Sequence, residues 1–297
     1  MTGDVRLPDA VGLDGRTALV TGGGNGMGLA TALLLADAGC DVSIVDVDAA
    51  AAEAAAEQVR SRGRRAAAIT ADMSTTEAPA RAVAETVDAL GELSVAVNFA
   101  GGTAGVMKPF LDITPEEWQR PLALNLTSTL LSCQAQALSM IRGGRGGTIV
   151  TVGSSSGITA APNLAGYGAA NAAVIHLTKT MALELAPYDI RVNCLVPGTH
   201  WSAGTRHRAT SPDSPPGTRE FFQTAERVTP LGHLGEPAET AGVALFLASE
   251  LSRYMTGHHV VSDGGILHTT ARPAFGAPRT PDAVTAALGA VKEENDE

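Results

Sequence analysis

The chain has 297 residues, of which 44% are hydrophobic and 18% are charged, and its formal net charge is −10. This apolar content excludes a chain that is disordered throughout, because buried apolar surface offsets the entropy lost on ordering. The acidic balance counts against a nucleic-acid partner, since such proteins normally carry a basic surface. No apolar run approaches the roughly 18 residues that a membrane-spanning helix needs, so we expect no membrane partner.

Short apolar runs typical of strands alternate along the chain with alanine- and leucine-rich runs typical of helices. Strands separated by helices indicate an α/β fold with a parallel sheet that is covered on both faces. The predicted strands cover residues 16–21, 42–47, 65–70, 95–99, 148–152, 191–196 and 258–262. The predicted helices cover residues 29–38, 49–60, 75–90, 115–141, 167–186 and 237–249.

Two segments differ from this alternation. Residues 199–230 contain four prolines and show no clear hydrophobic period. So long a connection between a strand and a helix predicts a functional lid. Residues 271–297 contain further prolines, one possible short helix and an acidic end. We predict that they form an extension that docks on a partner subunit or stays mobile. The predicted organisation is therefore one domain over residues 1–270, lid included, followed by this extension.

Cysteine and histidine usage gives no sign of a metal. Cys40, Cys133 and Cys194 are odd in number, lie far apart and lack the spacing of metal ligands. We predict free thiols in a reducing cytoplasm, consistent with an N-terminus that has no signal-peptide core. His258 and His259 are adjacent on a predicted strand, so their side chains are expected on opposite faces.

A glycine-rich turn, Thr21-Gly22-Gly23-Gly24-Asn25-Gly26-Met27-Gly28, lies between the first predicted strand and the first predicted helix. Its glycines allow the backbone to approach a ligand closely, and the N-terminus of the following helix can hold a pyrophosphate. Taken alone, such a cluster also fits an ordinary tight turn. Its position directly after the first strand favours a dinucleotide site.

Asp46 ends the second predicted strand. An acid at this place accepts hydrogen bonds from the hydroxyls of an adenosine ribose and repels a 2′-phosphate. Neither the glycine turn nor the segment just after Asp46 contains a Lys or Arg that would neutralise such a phosphate. The chemistry favours NAD over NADP, and the alternative is a solvated acid at a strand end.

Several motifs, in order, resemble those of the short-chain dehydrogenase/reductase family over about residues 12–268. The resemblance implies a single-domain Rossmann fold with a doubly wound, seven-stranded parallel sheet. It also implies hydride transfer between a nicotinamide and an alcohol or carbonyl carbon, in a homotetramer or dimer. Phe99 departs from the asparagine usual in the family. The motif residues are Thr21-Gly22-x-x-x-Gly26-x-Gly28, Asp72, Asn98-Phe99-Ala100-Gly101, Asn125, Ser154, Tyr167, Pro197-Gly198 and Asp263-Gly264-Gly265.

The resemblance also implies the site residues. Tyr167 acts as general acid/base, and Ser154, 13 residues earlier, hydrogen-bonds the substrate oxygen. Asn125 and Asn171 complete the implied catalytic set. Besides Tyr167 and Asn171, the implied cofactor contacts are Gly22, Asn25, Gly26, Met27, Gly28, Asp46, Asp72, Met73, Asn98, Ala100, Gly101, Pro197, Gly198, Thr199 and Ser202.

The family motif Tyr-x-x-x-Lys is altered here, because position 171 holds asparagine. A spacing of four residues still places Tyr167 and Asn171 on one helical face. In the family the lysine bonds the nicotinamide ribose, and its charge lowers the pKa of the tyrosine. Asn171 can form the hydrogen bond but carries no charge. Lys179 and His176 lie on the same predicted helix, but their rotation and rise direct them away from Tyr167.

Three functions stay open from the residues. The first is an NAD oxidoreductase with a weakened proton relay, in which the charge of oxidised nicotinamide and a water near Asn125 share the work. The second is non-redox chemistry, such as an elimination or isomerisation, that keeps the tyrosine. The third is a non-catalytic NAD-binding or interaction protein. The joint presence of Ser154, Tyr167, Asn125 and Asp46 argues against the third.

The lid holds a large share of the few aromatic residues. Trp201, Phe221 and Phe222 predict a small apolar or ring-containing alcohol or ketone as substrate, and plain packing of the lid is the alternative. His200 offers a second acid/base, although a lone loop histidine is usually not catalytic. Basic residues can receive an acidic group, but a solvated loop face explains them as well; they are Arg206, His207, Arg208 and Arg219.

Overall fold

The structure is a computed structural model that describes residues 11–214 and 217–269. The chain divides into two compact units, Met1–Leu267 and His268–Glu297. Of the second unit, only His268 and Thr269 lie among the described residues. The predicted extension 271–297 therefore lies outside the described residues, and the domain boundary at residue 270 stays a prediction.

Seven parallel strands form one sheet in the order β3-β2-β1-β4-β5-β6-β7, as the resemblance implies. The order reverses at β1, whose last residue, Thr21, lies beside Val45 of β2 and Asn98 of β4. In doubly wound sheets, ligands bind at the carboxyl ends of the strands beside such a reversal. The strands are β1 Thr17–Thr21, β2 Asp41–Asp46, β3 Ala66–Thr70, β4 Leu93–Asn98, β5 Gly147–Val152, β6 Ile190–Pro197 and β7 His259–Ser262.

Helices cover both faces of this sheet. Consecutive residues of β1 show this directly, because Val20 packs in the cluster that holds α1, α2 and α9, whereas Leu19 packs in the cluster that holds α3, α5 and α6. A parallel sheet buried on both faces explains why its strands are apolar throughout. The helices are α1 Gly26–Asp37, α2 Ala49–Arg60, α3 Ala78–Leu90, α4 Pro115–Pro121, α5 Ser128–Gly143, α6 Ala165–Leu185, α7 Ala203–Thr210, α8 Thr218–Val228 and α9 Pro237–Ala248.

The predicted helix 115–141 is wrong in one respect, because a π-helical segment over Leu122–Thr127 separates α4 from α5. Pro121 ends α4, and a proline inside a helix lacks the N–H that the regular hydrogen-bond ladder requires. The π-helical segment contains the buried Asn125. Such single π-helical turns often occur at functional sites.

Residues 199–230, in which the sequence shows no clear period, contain the two helices α7 and α8. Helix α8 buries Phe222 and Ala225, which are three residues apart and therefore share a face. This face packs against Trp201 and Leu234, which lie outside the helix. The sequence does carry this spacing of Phe222 and Ala225, but the residues that bury them come from other parts of the chain.

All three cysteines are free, as predicted, and all three are buried. Burial raises the pKa of the Cys40 and Cys133 thiols to about 12, so both are inert thiols packed in the core. Within residues 11–214 and 217–269, no group of three or more acidic, histidine or cysteine side chains is placed to hold a metal ion. The same part of the chain contains no helix that is both long and apolar enough to cross a membrane.

Candidate active site

A cavity of about 140 Å³ opens at the carboxyl ends of β1, β4, β5 and β6. It lies beside the reversal of strand order, where a doubly wound sheet binds its ligand. The structure brings all four predicted catalytic residues into its wall, which are Asn125, Ser154, Tyr167 and Asn171. Predicted cofactor residues from three separate parts of the chain line the same cavity, namely Met27, Ala100, Gly101, Pro197 and Gly198.

The glycine turn joins β1 to α1 and has no room for side chains at its two ends. Gly22 has a φ of +65°, and a Cβ atom there would lie 2.9 Å from the backbone nitrogen of Ala100. A Cβ atom on Gly28 would overlap the carbonyl oxygen of Gly22. Asn25 is the N-cap of α1, and its side chain forms no capping hydrogen bond. Neighbouring backbone therefore restricts both ends of the turn to glycine.

Asp46 holds this turn from the end of β2. One carboxylate oxygen accepts a hydrogen bond from the Gly24 N–H at 2.9 Å, and the other accepts one from the Asp48 N–H at 3.1 Å. A carboxylate has about four lone-pair sites, so acceptor capacity remains for a ligand. No Lys or Arg among the described residues forms an ion pair with Asp46.

Three further predicted cofactor residues lie outside the cavity wall. Asp72 is exposed, and hydrogen bonds from the hydroxyl and backbone N–H of Ser74 lower the pKa of its carboxyl. Met73 is buried in the core. The buried amide of Asn98 exchanges two hydrogen bonds, of 3.0 and 2.8 Å, with the amide of Gln136 on α5. The Asn98 side chain therefore ties β4 to α5.

Ser154 follows β5 and is buried. Its hydroxyl accepts a hydrogen bond of 3.2 Å from the Ser156 N–H, at the start of the 3₁₀ turn Ser155–Gly157. A Cβ atom on Gly157 would lie 2.7 Å from the Asn171 carbonyl carbon. The turn that carries Ser154 is thus packed directly on the helix that carries Tyr167 and Asn171.

Tyr167 and Asn171 lie one turn apart on α6. The Asn171 amide donates a hydrogen bond of 2.8 Å to the Tyr167 backbone carbonyl, and the residue is only 2% exposed. Lys179 and His176 are exposed on other faces of α6, as their spacing predicts. Among the described residues, the cavity wall contains no Lys, Arg or His.

Asn125 fixes a neighbouring part of the wall. Its amide nitrogen donates to the carbonyls of Gly102 and Pro121, both at 2.8 Å, and its amide oxygen accepts from the Gly102 N–H at 2.9 Å. Both amide hydrogens are therefore used by the protein and are not available to a water. The Asn125 carbonyl accepts a hydrogen bond of 2.6 Å from the Thr129 hydroxyl.

The segment predicted as a lid, residues 199–230, begins close to the glycine turn. A Cβ atom on Gly26 would lie 3.8 Å from the Cβ of Ser202. Ser202 caps α7 through a reciprocal pair of hydrogen bonds with Thr205. Thr199, at the base of the lid, accepts a hydrogen bond of 3.1 Å from the Gly235 N–H. Ser202 is therefore held by the first turn of α7, and Thr199 by the loop at Gly235 that follows residues 199–230.

The lid aromatics pack mainly on each other. Trp201 stacks on Phe222 with ring centroids 5.3 Å apart. The Arg206 guanidinium lies 5.1 Å from the centre of the Trp201 ring and is ion-paired with Glu236. Packing within this segment therefore accounts for Trp201 and Phe222, whereas Phe221 packs edge-on against Phe222 and is 59% exposed.

Sequence reasoning missed an apolar loop at the same edge of the sheet. Met107, Phe110 and Leu111 are 58%, 77% and 91% exposed between β4 and α4. The backbone N–H of Lys108 donates to the Asn163 carbonyl, which joins this loop to the segment before α6. The available signal was a short apolar run in a segment that belongs to no predicted strand or helix.

Comparisons with known proteins agree with this geometry. A family model described as "Enoyl-(Acyl carrier protein) reductase" matches residues 22–267. A cyclohexanol dehydrogenase of Rhodococcus sp. (strain TK6) is 36% identical over 223 residues, which cover 71% of this chain and 77% of that protein.

Solved structures give the same result. A short-chain type dehydrogenase/reductase from Mycobacterium marinum has a TM-score of 0.77 and 34% identity, and the match covers 86% of this chain and 96% of that one. A 7α-hydroxysteroid dehydrogenase in complex with NADH and 7-oxo glycochenodeoxycholic acid has a TM-score of 0.80 and 30% identity, with 88% of this chain and 98% of that chain covered.

Proposed function

Because the chain belongs to the short-chain dehydrogenase/reductase family, and relatives within that family act on CH–OH groups, we propose that it is an NAD-dependent oxidoreductase. It interconverts a small alcohol and the matching carbonyl compound. The observation that carries this proposal is the shared cavity of Ser154, Tyr167 and Asn171 beside the glycine turn. The related steroid dehydrogenase, which holds NADH and an oxo substrate, supports the same chemistry.

The residues present fit NAD. The turn from Gly22 to Gly28 is packed against neighbouring backbone at both ends, where a Cβ atom would collide, and this glycine-rich backbone suits a pyrophosphate at the start of α1. Asp46 keeps free lone pairs for the ribose hydroxyls, and its charge opposes a 2′-phosphate. Residues of the cavity wall would hold the nicotinamide end. When bound, NAD supplies the hydride acceptor or donor.

The protein supplies the proton transfer. During carbonyl reduction Tyr167 donates its phenolic proton to the substrate oxygen, and during alcohol oxidation it accepts that proton. Ser154 hydrogen-bonds the same oxygen and stabilises the developing alkoxide. The wall contributes no positive side chain in the described residues, so this site is atypical. Asn171 provides polarity without charge.

The substrate is a small apolar or cyclic alcohol or ketone. The exposed side chains of Met107, Phe110 and Leu111 support this choice, because they offer an apolar surface at the edge of the sheet where the cavity opens. The likeness to a cyclohexanol dehydrogenase points to the same class of substrate.

Homotetramer or dimer formation and a cytoplasmic location complete the proposal. Leucines on the outer faces of two long helices support self-association, since Leu138 of α5 is 52% exposed and Leu183 of α6 is 78% exposed. Three free cysteines support a reducing compartment. Light scattering coupled to size-exclusion chromatography measures the oligomeric state directly.

The deciding experiment titrates the protein with NAD and with NADP, and then follows an alcohol and ketone panel at the absorbance of reduced nicotinamide. NAD binding with turnover supports the oxidoreductase. Chemistry without an absorbance change supports the elimination or isomerisation enzyme. Binding without chemistry supports the non-catalytic protein, and failure to bind either cofactor contradicts all three.

A further inference from the structure

His200, at the base of the lid, belongs to a closed ring of hydrogen bonds with Gly198, Thr240 and Ser262. The Nδ1 of His200 lies 3.1 Å from the Gly198 carbonyl oxygen, and its Nε2 contacts the Thr240 hydroxyl. Thr240 Oγ1 lies 3.1 Å from the Ser262 hydroxyl. The Gly198 N–H closes the ring by donating to the Ser262 carbonyl at 2.9 Å.

The partners fix the direction of each hydrogen bond. A carbonyl only accepts, so Nδ1 of His200 carries a proton and donates it to Gly198. In the neutral ring Nε2 is then an acceptor, and the Thr240 hydroxyl donates to it. The single proton of Thr240 is thereby used, so the Ser262 hydroxyl donates to Thr240. Each side-chain polar atom in this ring of hydrogen bonds is therefore assigned as a donor or an acceptor.

The His200 ring is enclosed on all sides that the structure describes. Its exposed fraction is 9%, and Thr240 is fully buried. Any side chain on Gly235 would overlap the imidazole, and the backbones of His200 and Gly235 form a parallel bridge. The imidazole therefore cannot rotate away from the Gly198 carbonyl without displacing the loop at Gly235.

Gly198 is the residue through which this ring reaches the cavity. Pro197 and Gly198 form part of the cavity wall, whereas His200 does not line it. A Cβ atom on Gly198 would lie 2.7 Å from the Cβ of Asp263, so this backbone is closely packed against the residue after β7. The N–H and carbonyl of Gly198 are both held by the ring, which leaves its peptide groups little freedom.

We propose that His200 is a positioning residue that orients the Gly198 carbonyl and thereby the Pro197–Gly198 wall of the nicotinamide pocket. It acts through Gly198 and exchanges no proton with the substrate. The part that concerns the nicotinamide rests on the proposed function, whereas the part that concerns the loop does not. His200 forms two hydrogen bonds with different effects. The one to Gly198 orients the cavity wall, and the one to Thr240 holds the imidazole against α9.

Two substitutions separate these bonds. His200→Asn places an amide nitrogen at the position of Nδ1 and keeps the donor to Gly198, but it loses the contact with Thr240. His200→Gln places an amide oxygen at the position of Nε2 and keeps the acceptor for Thr240, but it loses the donor to Gly198. Thr240→Val, which removes the hydroxyl at nearly constant volume, is the matched partner of His200→Asn.

The full-length protein is tested in two ways. Without cofactor, hydrogen exchange is followed at the Gly198 and Trp201 amides, which donate to Ser262 and Gly235. With cofactor, the Kd for NAD is measured by calorimetry, and thermal midpoints are recorded for every variant. We expect His200→Gln to speed exchange and to raise the Kd about tenfold or more, the size of about one lost hydrogen bond. His200→Asn and Thr240→Val should stay within about threefold of the wild-type Kd.

Equal exchange and equal Kd for the asparagine and glutamine variants overturn the proposal, as does an affinity loss that simply follows the thermal midpoint. A wild-type protein that binds no NAD contradicts the proposed function, but the exchange experiment still decides the role of His200. If the glutamine variant then exchanges no faster than the asparagine variant, the positioning role is wrong on its own account.

Discussion

The side-chain amide of Asn171 donates a 2.8 Å hydrogen bond to the backbone carbonyl of Tyr167, one turn earlier on α6. The asparagine is buried, so this bond satisfies a donor that would otherwise be costly to bury. It also directs the amide back along its own helix. At position 171, where the family carries a lysine, this chain therefore has a neutral side chain that is hydrogen-bonded to the backbone of Tyr167.

Substitution of Asn171→Lys should raise the rate of alcohol oxidation near neutral pH. A positive charge beside a phenol favours its deprotonated form, which is the form that accepts the substrate proton. We expect the midpoint of the pH–rate profile to move to lower pH. At a pH below the original midpoint, the oxidation rate should rise about tenfold for each pH unit by which the midpoint moves. Initial rates from pH 6 to 10 under saturating NAD give the measurement.

The matched control is Asn171→Gln, which lengthens the side chain without adding charge. It should leave the midpoint unchanged. A lysine variant that binds NAD and shows an unshifted profile, or that is slower at every pH, contradicts the role assigned to the absent charge.

Tyr167→Phe should lower turnover by about 100-fold or more, because it removes the group that exchanges a proton with the substrate oxygen. The Kd for NAD should change little by comparison, since the aromatic ring remains in the cavity wall.

Ser154→Ala should also lower kcat, through the lost hydrogen bond to the developing alkoxide. Steady-state kinetics and calorimetry on the same preparations separate the two effects. Turnover that survives Tyr167→Phe would point to another acid/base.

Asp46→Asn should weaken NAD binding and narrow the preference for NAD over NADP. The substitution removes the negative charge that opposes a 2′-phosphate and replaces one acceptor oxygen by a donor. The matched control is Asp48→Asn, which changes the net charge equally but affects only the exposed cap of α2. Kd values for both cofactors are compared. A preference that changes equally in the two variants would show that overall charge, and not Asp46, sets it.

Gly28→Ala should abolish cofactor binding and lower the free energy of unfolding by about 1–3 kcal/mol, because the added Cβ overlaps the Gly22 carbonyl oxygen. The control is Gly242→Ala on the exposed face of α9, where a Cβ atom has nothing within 4 Å. Alanine in a helix interior is favoured over glycine, so this variant should gain about 0.5–1 kcal/mol. Urea unfolding measures both values. An alanine at position 28 that preserves NAD binding would contradict the tight turn.

Stability should fall as the pH is lowered below about 6.5, and His200 should account for part of the fall. Burial lowers the pKa of His200, although its contact with Gly198 and the charges of Glu239, Glu236 and Asp263 act in the opposite direction. The unfolded chain therefore binds this proton more tightly than the folded one. The stabilisation is complete above the unfolded pKa and is lost as the pH falls through the folded pKa, at up to about 1.4 kcal/mol per pH unit.

Urea unfolding between pH 5 and 8 tests this dependence. His200→Asn should flatten the curve over this range, whereas His176→Asn, at an exposed position on α6, should leave it unchanged. If the wild-type protein and the His200→Asn variant lose stability in parallel, the titration belongs to other groups.

The amino-acid sequence was sufficient to predict the seven strands, the helices other than α7 and α8, the glycine turn and its acid. The helix predicted over residues 49–60 matches α2, Ala49–Arg60. No end of a predicted strand differs from the structure by more than two residues. Periodicity and turn chemistry are properties of neighbouring residues, so a sequence displays them directly. The motif order likewise indicated that Ser154 and Tyr167 belong to one site.

The tertiary structure alone decided which side chains face the cavity and which serve packing. Asn98 pairs with Gln136, Trp201 stacks on Phe222, and His200 contacts Thr240, each across 20 or more residues. The π-helical segment at Leu122–Thr127 and the packing partners of α8 also emerged only in the fold. Their stability comes from partners that the folded backbone brings together from distant parts of the chain, and spacing along the sequence carries no record of such pairs.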